Sequence, residues 1–576
     1  MQDVEKTPTI NTLQGDDMIK EDAVVETVKV SRLQRWKDSF KPMDLSYTDG
    51  GDWTDVERAA MATAKSPLER GLKSRHLQMI AIGGAIGTGL FVGSGETLRT
   101  GGPAGLIIGF GIIGIMLYCT VQALGELAVT FPVAGAFSTY ATRFIDPAWG
   151  FALGWNYGVQ WLVVLPLELV AASITIGFWQ SDINPAAWVC IFYVIVVVIN
   201  LFGVRGYGEA EFVFSTIKVL AVIGFIILGI IINCGGGPEG GYIGAKYWYN
   251  PGAFSNGFKG VCSVFVNAAF SFTGTELVGL AAAETDNPRK SLPSATKQVF
   301  WRICLFYMVS LTLVGLLVPY DDDQLMGSSN VDITASPFVI AIKNAGIKVL
   351  PSIFNVVIMI AVLSVGNSAV YGCSRTLASL SAQRLAPKWL GYIDRQGRPL
   401  AGIAVTCVFG LLCFLSASDK QQEVFNWLMA LTGLSLIFTW GTVCLCHIRF
   451  RRAMKMQGRS LDELAFTSQV GVIGSWIGLV INCLVLVAQF WIALFPVGAS
   501  PDPAVFFQKY LAAPIVIVFY IIWKLYKRPP FVRTKDIDVD TGRRDIDLER
   551  VKLEIAEEKA RIKAKGWLYR TYKFWC

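Results

Sequence analysis

The sequence predicts an all-α polytopic membrane protein with about twelve transmembrane helices. Hydrophobic residues make up 53% of the chain and charged residues only 16%, whereas soluble domains average about 25% charged residues. The mean hydropathy is +0.47. Apolar runs such as IIGFGIIGIMLYCTVQALGELAV and VCIFYVIVVVINLFG approach or exceed the roughly 20 residues that cross the hydrocarbon core of a bilayer. The chain is therefore expected to lie in a lipid bilayer.

The apolar segments divide the chain into three parts. Residues 1–75 are too poor in apolar side chains to fold alone and predict a largely disordered cytoplasmic tail. Residues 76–526 form the predicted twelve-span domain, and residues 527–576 form a second cytoplasmic tail with a short helix. The predicted spans are approximately 77–100, 104–131, 149–178, 187–204, 211–234, 260–282, 300–319, 350–380, 401–417, 424–447, 471–496 and 505–525.

Basic residues give the orientation of these spans. An even number of spans places both tails on one side, and the connections on that side, with Arg302 counted among them, hold 15 Lys and Arg residues against 7 on the other side. Cytoplasmic loops of membrane proteins carry such an excess, so both tails are predicted to be cytoplasmic. The same bias accounts for the net charge of +7 without nucleic-acid binding.

The first span contains four glycines between Gly83 and Gly89. Each glycine costs a helix interior roughly 1 kcal/mol relative to Ala. Close helix packing is one explanation, but an unwound segment explains the Gly-x-Gly spacing directly, and irregular backbone at membrane depth is tolerated where it lines a cavity. The helix that restarts there would direct free N–H groups at a carboxylate. The predicted substrate-binding residues of this break are Ala85, Ile86, Gly87, Thr88 and Gly89.

A second break is predicted in the sixth span. Two interrupted helices at matching positions of two five-helix halves are typical of inverted-repeat transporters. The N–H donors of the first break suit a carboxylate and the carbonyls of both breaks suit an ammonium group, so the pair fits an α-amino acid zwitterion. The substrate-binding residues predicted here are Ser271, Phe272, Thr273, Gly274 and Thr275. Phe272 could also close over a ligand as an aromatic gate, although packing is the commoner role of a lone aromatic.

Ionisable residues within spans are functional candidates because their insertion into a bilayer is expensive. Lys218 in the fifth span, Glu276 on the broken sixth helix and Glu126 in the second span are predicted to take part in proton coupling. Glu168 in the third span is a further candidate. A buried Lys loses solvation of its charge and can release its proton. Snorkelling of Lys218 and structural ion pairs of the acidic residues are the alternatives.

Polar residues also follow one stripe of the third span and one of the eighth. They either bond helices together or line a pathway between a moving bundle and its scaffold. The stripes consist of Trp155, Asn156, Tyr157 and Gln160, and of Ser364, Asn367, Ser368 and Tyr371. The predicted pathway and selectivity residues among them are Asn156, Gln160, Asn367 and Ser368.

Catalytic chemistry is not predicted. The only histidines, His76 and His447, lie at span ends, where they are expected to cap helices or face water, and no Ser-His-Asp arrangement is evident. Cys444 and Cys446 beside His447 end a span without a partner cluster, so no metal site is expected. The chain is therefore expected not to be an enzyme, and to need no cofactor beyond a coupling proton.

Several long strings resemble one protein family. GGAIGTGLFVGSG, FGVRGYGEAEFVFSTIKV, FSFTGTELVGLAAAE, SVGNSAVYGCSRTLASL and the terminal FWC are similar to fungal plasma-membrane amino-acid permeases, most of all to the general amino-acid permease branch. The resemblance runs from about residue 70 to the C-terminus. It implies the yeast amino acid transporter family of the amino-acid/polyamine/organocation superfamily. The fold implied is a five-plus-five inverted-repeat (LeuT-like) core with helices 1 and 6 broken, plus two C-terminal helices.

The resemblance also implies roles for individual residues. Thr88 and Gly89 would bind the substrate carboxylate, and carbonyls near Ala85 and Phe272 would bind its amine. Lys218 would take the place that a sodium ion fills in sodium-coupled relatives, which implies uptake driven by the proton gradient.

One departure from the family pattern bears on selectivity. The sixth-span break reads Thr-Gly-Thr-Glu where Ala-Gly-Ser-Glu or similar is expected in the general permease, so Thr273 and Thr275 add bulk and hydroxyls. The family further implies endocytic control by ubiquitin-ligase adaptors on the cytoplasmic tails. The candidate lysines are Lys6, Lys20 and Lys29.

These observations predict a proton-coupled amino acid symporter of the plasma membrane, working by alternating access and with broad specificity. Its partners would be amino acids, protons and the bilayer, and it would travel through endomembranes. An amino acid sensor or receptor with a transporter fold, or a combined transporter and receptor, is the alternative. An ion channel would show filter-like carbonyl segments or charged rings, and none is evident. Cys576, beside two aromatic residues, is a palmitoylation candidate.

Overall fold

The computed structural model describes residues 32–43, 53–64, 68–133, 135–179, 182–326, 336–417 and 421–543, with scattered residues between 553 and 571. These residues are overwhelmingly helical, and their β pairing is limited to two isolated bridges, Pro42 with Asp394 and Leu72 with Thr285. The predicted all-α class is therefore confirmed. The predicted modification sites Cys576, Lys6, Lys20 and Lys29 lie outside the described residues.

The described ranges contain twenty α-helices. They are α1 (Arg32–Ser39), α2 (Asp55–Ala64), α3 (Ser74–Gly83), α4 (Ser94–Thr130), α5 (Ala136–Phe144), α6 (Pro147–Ile176), α7 (Pro185–Leu201), α8 (Gly203–Asn233), α9 (Gly257–Ser271), α10 (Leu277–Ala281), α11 (Pro288–Arg302), α12 (Ser310–Leu317), α13 (Asp323–Met326), α14 (Pro337–Asn344), α15 (Leu350–Ala382), α16 (Leu400–Gly410), α17 (Gln421–Met456), α18 (Gly471–Leu494), α19 (Pro503–Tyr510) and α20 (Ala512–Lys527). Tighter or wider helical turns join several of them, including π-helical turns at Gly89–Gly93 and Ile303–Val309.

The start of α6 shows how local sequence sets a helix boundary. Asp146 is the N-cap, and its carboxylate accepts a hydrogen bond from the Ala148 N–H at 2.8 Å. Pro147 occupies the first helical position, where a backbone N–H would have no acceptor within the helix, so the lack of an N–H in proline costs no hydrogen bond. From there α6 continues for 30 residues, most of them buried.

Seven helical segments of the described chain are long and apolar enough to cross a membrane. They are Gly89–Thr130, Pro147–Trp179, Gly203–Asn233, Pro288–Leu317, Leu350–Ala382, Trp427–Met456 and Gly471–Leu494. Helices α19 and α20 pass the same test together across a bend of 67°, which makes eight if this pair is one span. Helix α7 and the segment Leu400–Leu415 are apolar but shorter. A polytopic membrane protein follows from these lengths.

The predicted spans 77–100 and 104–131 are not separated by a loop. The chain turns inside α4, where Gly102 has φ 71° and ψ 173° and is followed by Pro103. A Cβ atom at Gly102 would lie 2.7 Å from the Ala253 carbonyl oxygen. Both the positive φ and this close approach require glycine, so a single residue divides the continuous helical segment.

The bundle is built on a few long helix pairs. Helix α15 packs along α6, α4 along α9, and α3 along α8, while α17 packs against both α6 and α18. Large apolar side chains on the outer sides of α7, α8 and α18 are exposed, as expected of a surface that faces lipid. Examples are Val194, Leu220, Ile227, Leu484 and Val487.

The described parts of both tails lie at the same end of the bundle, which we call the tail face. It comprises α1, α2, α5, the connections 383–399 and 457–470, and residues 529–543. Helix α2 packs on α5, the Met43 N–H donates to the Ile393 carbonyl at 2.9 Å, and the Val532 N–H donates to the Ile145 carbonyl at 3.1 Å. Helices α1 and α2 fall within the predicted disordered tail. They are held by contacts with the bundle, which apolar content alone does not reveal.

Candidate functional site

The first predicted break is present. Helix α3 ends at Gly83, the next residues are non-helical, and helix resumes at Thr88 and continues into α4. The Phe91 N–H bonds to the Gly87 carbonyl at 3.1 Å. The amides of Thr88 and Gly89 therefore lie at a helix N-terminus, where N–H groups lack intrahelical acceptors. Such a terminus is able to bind an anionic group.

The second predicted break is also present and lies against the first. Helix α9 ends at Ser271 and α10 begins at Leu277. Gly274 has φ 93°, and a Cβ atom there would lie 3.0 Å from the Gly84 carbonyl oxygen. A Cβ atom at Gly89 would lie 2.3 Å from the Ser271 Cα atom. Glycine at both positions lets the two unwound segments touch.

Two side chains from the α11–α12 segment tie the breaks together. The Tyr307 hydroxyl lies 2.8 Å from both the Ala85 and the Ser271 carbonyl oxygens. Arg302 donates to the Ala81 carbonyl at 2.5 Å and to the Thr275 hydroxyl. The two broken helices are therefore joined through shared partners.

Arg302 is not a loop residue, contrary to the count of basic residues in the connections. Its side chain is only 1% exposed and contacts both breaks. The count of basic residues takes any Arg near a span end as a loop residue. The signal available was that Arg302 already lies inside the apolar segment predicted to begin at residue 300.

The structure adds partners to the atoms that the resemblance assigns to substrate. The Ala85 carbonyl accepts from Tyr307, and the Phe272 carbonyl accepts from the Thr275 hydroxyl at 2.7 Å. The Thr275 N–H also donates to the Phe272 carbonyl, at 3.3 Å. A carbonyl oxygen accepts two hydrogen bonds, so the Ala85 carbonyl is partly engaged and the Phe272 carbonyl fully engaged before a ligand arrives. The Thr88 hydroxyl donates to the Glu168 carboxyl group, which places an acidic side chain from α6 beside the first break.

Buried polar atoms without protein partners occur at the second break and on α6. Among the described residues, both amide atoms of Gln160, the Thr273 hydroxyl, Oε1 of Glu168 and Oε2 of Glu276 have no hydrogen-bond partner. Gln160 lies on α6 between Glu168 and Tyr157, whose hydroxyl is 3.4 Å from Oε1 of Glu276. Leaving such an atom unpaired costs about 1–3 kcal/mol. These side chains are therefore suited to bind a polar ligand.

The other predicted selectivity residues bond mainly to neighbouring helices. Asn156 donates to the Ser435 carbonyl at 3.1 Å, and Ser368 lies 3.1 Å from the Tyr207 hydroxyl. Oδ1 of Asn367 accepts from Asn200 at 2.7 Å, while its Nδ2 has no partner among the described residues. Gln160 is the member of the set that offers its whole amide.

Lys218 lies in a buried network beside the end of α3. Its Nζ atom is 2.9 Å from Ser364 Oγ and 3.3 Å from Glu211 Oε1. Ser364 donates to Glu211 Oε2 at 2.6 Å, and Ser215 donates to Glu211 Oε1 at 2.9 Å. All four side chains are fully buried, so Lys218 does not snorkel. Ser215 packs against Gly83, where a Cβ atom would clash with it.

Glu211 is a site residue that the sequence alone does not single out. It stands at the first position of the predicted fifth span, where a charged residue is unremarkable. The available signal was its spacing: Glu211 precedes Lys218 by seven residues, which is two helical turns, and both side chains therefore lie on the same side of α8.

Comparison with known proteins gives the family. The amino acid permease family profile matches residues 76–535. The chain belongs to the amino acid permease family. The general amino-acid permease GAP2 of Candida albicans is 66% identical over 91% of this chain and 90% of the relative. The general amino-acid permease GAP1 of Saccharomyces cerevisiae is 60% identical, with 96% and 93% covered. The S-adenosylmethionine permease GAP4 of Candida albicans is 53% identical, with 94% and 90% covered.

The family assignment confirms the resemblance seen in the sequence. It also makes this chain a multi-pass membrane protein of amino acid transport. The broken helices therefore belong to a permease, and the polar atoms around them are candidates for contact with a transported solute.

The structure does not bring Glu126 of this permease to the breaks. Its two carboxyl oxygens accept from Arg451 at 2.5 and 2.7 Å, and Oε2 also accepts from the Ser468 N–H at 2.7 Å. The His447 Nε2 atom lies 3.0 Å from Oε1. The cluster joins α4, α17 and the connection before α18.

The histidines of the permease are both buried. The prediction that His447 caps a helix or faces water is wrong, because its side chain is fully buried between Glu126 and Ser475. His76 is 2% exposed and accepts from the Lys73 N–H at the start of α3 at 3.4 Å, so capping is confirmed there.

Phe272 is packed in the interior. Its ring centroid lies 4.2 Å from that of Tyr307 and 5.9 Å from that of Phe110. This contact set fits the packing alternative. A gating role for Phe272 stays a prediction.

Proposed function

We propose that this permease is a proton-coupled symporter that imports amino acids across the plasma membrane by alternating access. The observation that carries the proposal is the meeting of two broken helices beside the buried Lys218–Glu211 pair. The Thr273 hydroxyl and Oε2 of Glu276 at the second break, and Oε1 of Glu168 on the side chain bonded to Thr88, have no partners in the described chain, and buried polar groups of that kind are matched by a ligand or by water. The family and its relatives support amino acids as the solute.

The full topology forms part of the proposal. About twelve spans would form a five-plus-five inverted-repeat core and two C-terminal helices, with both tails cytoplasmic. Three features support the count beyond the seven or eight long helices: the division at Gly102, the broken pair α9–α10, and the shorter α7 and α16. The packing of both tails on one face supports their common side. Regulation through Cys576 and the tail lysines stays a prediction.

The geometry suggests how a zwitterion would bind. The helix N-terminus at Thr88 and Gly89 offers N–H groups to the substrate carboxylate. Oε2 of Glu276 and Oε1 of Glu168 offer acceptors to the substrate ammonium, together with the second lone pair of the Ala85 carbonyl. Gln160 and Thr273 are left for the substrate side chain. Binding uses hydrogen bonds alone and needs no covalent step.

Alternating access would use the same contacts. Arg302 and Tyr307 bind both breaks, so α3, α9 and their continuations would rock together against α6 and α15. Lys218, on α8, bonds to Ser364 on α15, and α8 also packs against α3. A change in the protonation of Lys218 would therefore alter a contact between the moving helices and the scaffold.

The proposal of broad selectivity is supported only by the names of the relatives. The relatives at 66% and 60% identity are named general amino-acid permeases, whereas the relative at 53% is named for S-adenosylmethionine. Substrate choice thus changes within the range of identity seen here. Gln160→Leu removes the amide that has no protein partner. In competition assays, polar amino acids are therefore expected to inhibit uptake by this variant less effectively, relative to apolar amino acids, than they inhibit uptake by the unmodified permease.

Transport in cells lacking their own amino acid permeases tests the proposal. Radiolabelled amino acids should accumulate more at pH 5 than at pH 7, and a protonophore should abolish accumulation. A surface-expressed protein that does not accumulate any amino acid but triggers a cellular response would instead support the sensor alternative. Accumulation that is insensitive to the protonophore would exclude the proton as coupling ion.

The zwitterion site has its own test. Amino acid methyl esters lack the carboxylate and N-acetyl amino acids lack the ammonium, so neither class should compete with a labelled amino acid. Effective competition by the esters would show that the amides at Thr88 and Gly89 do not bind a carboxylate.

A further inference from the structure

Lys218 and Glu211 are connected in two ways: directly, with Nζ 3.3 Å from Oε1, and through shorter hydrogen bonds by way of Ser364. The Ser364 hydroxyl accepts from the Lys218 ammonium at 2.9 Å and donates to Glu211 Oε2 at 2.6 Å. A hydroxyl held in this way can pass a proton in one concerted movement. The N–H bond of Lys218 breaks as a new O–H bond forms on Ser364, and the original hydroxyl hydrogen moves to Glu211.

This transfer conserves the charge of the pair. Before it, Lys218 is an ammonium and Glu211 a carboxylate; after it, Lys218 is an amine and Glu211 a carboxylic acid. The summed charge is zero in both states. Since both side chains are fully buried, a transfer that leaves no lone charge avoids the large cost of an unpaired ion in an apolar interior.

The positions of the two residues give the transfer a direction. Glu211 precedes Lys218 by seven residues on α8, so its backbone lies about 10 Å nearer the N-terminal end of the helix, while the two side chains reach towards each other until Nζ is 3.3 Å from Oε1. The N-terminal end of α8 lies at the tail face, because Arg398 in the 383–399 connection donates to the Leu201 carbonyl there at 2.8 Å. A proton that moves from Lys218 to Glu211 therefore moves towards the tail face.

Other ionisable groups face the pair from neighbouring helices. Glu168 on α6 and Arg302 at the end of α11 lie within electrostatic reach of Lys218, and Tyr207, one turn before Glu211 on α8, lies within reach of Glu211. The Tyr207 hydroxyl in turn contacts Ser368 at 3.1 Å. Hydroxyl groups thus continue beyond Glu211 in the direction of the tail face.

We propose that Glu211 accepts the transported proton from Lys218 through Ser364 and releases it towards the tail face. This inference rests on the proposed proton-coupled symport and adds the acceptor and the route. It makes Glu211 a second member of the coupling unit, and it makes Ser364 the relay between the two.

Separating net uptake from exchange tests the acceptor. Exchange of labelled for unlabelled amino acid across a membrane without a proton gradient does not require the proton to leave Lys218, whereas net accumulation does. In Glu211→Gln, net accumulation should fall by about 100-fold or more, a loss in the range of a general acid–base group, while exchange persists. Ser364→Ala should slow net uptake about tenfold, a barrier increase of roughly 1.4 kcal/mol, with exchange again retained.

Thr216→Ala is the matched control. Thr216 also lies on α8, but its hydroxyl donates to the Phe212 carbonyl of the same helix at 2.7 Å and not to Glu211 or Lys218, so both net uptake and exchange should match the unmodified permease. Loss of net uptake in Thr216→Ala equal to that in Ser364→Ala would overturn the relay.

Two results with Glu211→Gln would overturn the proposal. The first is undiminished accumulation. The second is the loss of both exchange and accumulation at normal surface abundance, because that is the result expected of a purely structural ion pair. If Glu211→Gln does not reach the surface, Ser364→Ala decides, because an equal loss of exchange and net uptake there also contradicts the relay. Absence of protonophore-sensitive uptake in the unmodified permease would instead defeat the proposed function itself.

Discussion

Glu126 and Glu211 are both fully buried carboxyl groups paired with a cation, yet their surroundings differ. Glu126 receives two N–H bonds from Arg451 and one from the Ser468 backbone, and His447 Nε2 lies 3.0 Å from its Oε1 atom. Glu211 faces Lys218 and the hydroxyls of Ser215 and Ser364. The guanidinium of Arg keeps its proton in proteins, whereas a buried Lys gives its proton up readily. The partner, and not the burial of the Glu, therefore separates a fixed ion pair from a pair able to exchange a proton.

Their locations reinforce the difference. The Glu126 cluster joins three segments near the tail face and touches neither break. The Glu211 cluster lies against Gly83, where the first broken helix ends. We therefore expect Glu126 to hold the fold together and Glu211 to act in transport.

The largest expected effect on transport comes from giving one ion pair the cation of the other. Lys218→Arg turns the Lys218–Glu211 pair into a copy of the fixed pair. It should abolish net accumulation, a fall of about 100-fold or more, while the protein still reaches the surface. Arg451→Lys is the matched change at Glu126 and should leave accumulation per surface molecule intact. Uptake assays with surface biotinylation measure both, and full accumulation by Lys218→Arg would break the comparison.

Removing the charge of Glu126 should affect stability before transport. Glu126→Gln leaves the largely buried Arg451 without its carboxylate, and breaking a buried pair costs about 3–5 kcal/mol. Thermal unfolding in detergent should shift to clearly lower temperature. The pH dependence of uptake by the molecules that reach the surface should be unchanged. If uptake by Glu126→Gln had an altered pH dependence while its thermal stability was normal, Glu126 would be shown to take part in proton coupling.

Tyr307→Phe should have an intermediate effect. It removes the hydroxyl that lies 2.8 Å from the carbonyls of both breaks, and an unpaired buried carbonyl costs about 1–3 kcal/mol. The initial rate of uptake should fall about tenfold, with the sensitivity to a protonophore retained. Tyr510→Phe, which loses a hydroxyl bond between α19 and α18, is the control and should transport normally.

A third carboxylate, Glu463 at the tail face, should show the smallest effect. Burial would raise the pKa of Glu463, but the hydrogen bond and charge of Arg459 outweigh it and hold this pKa below its ordinary value. The pair therefore stabilises the fold at neutral pH, and the contribution is lost as pH falls below about 4.3 towards the lowered value. Because Arg459 is partly exposed, Glu463→Gln should cost about 1 kcal/mol or less at pH 7.

Thermal unfolding as a function of pH checks this prediction. The difference between Glu463→Gln and the unmodified permease should be present at pH 7 and shrink as pH falls. A difference that grows towards acid pH would contradict the assigned pKa direction.

Local signals in the sequence were sufficient for the long apolar helices and for the two breaks, but not for α1 and α2, which lie in the segment predicted to be disordered. Glycine spacing and apolar length act within a few residues, so the ends of α3 and α9 could be predicted. The division at Gly102 was predicted as a short connection, because sequence alone does not show that its turn packs against Ala253.

Pairing between distant helices could not be predicted from the sequence. Glu126 meets Arg451 and Tyr307 meets Ala85 only because of how the helices pack, and nothing in the residue spacing indicates either contact. The same limit made Glu126 look equivalent to Lys218 and Glu276, and it hid Glu211 at the edge of a span. The site residues were identified by type, and their partners required the fold.

Proton movement in reconstituted vesicles tests the central claim most directly, namely that Lys218 carries the coupled proton. With a pH-sensitive dye inside, addition of an amino acid should acidify the lumen of vesicles containing the unmodified permease. Vesicles containing Lys218→Arg at equal density should show no acidification, while those containing Arg451→Lys should respond normally. Equal acidification by Lys218→Arg and the unmodified permease would contradict the account.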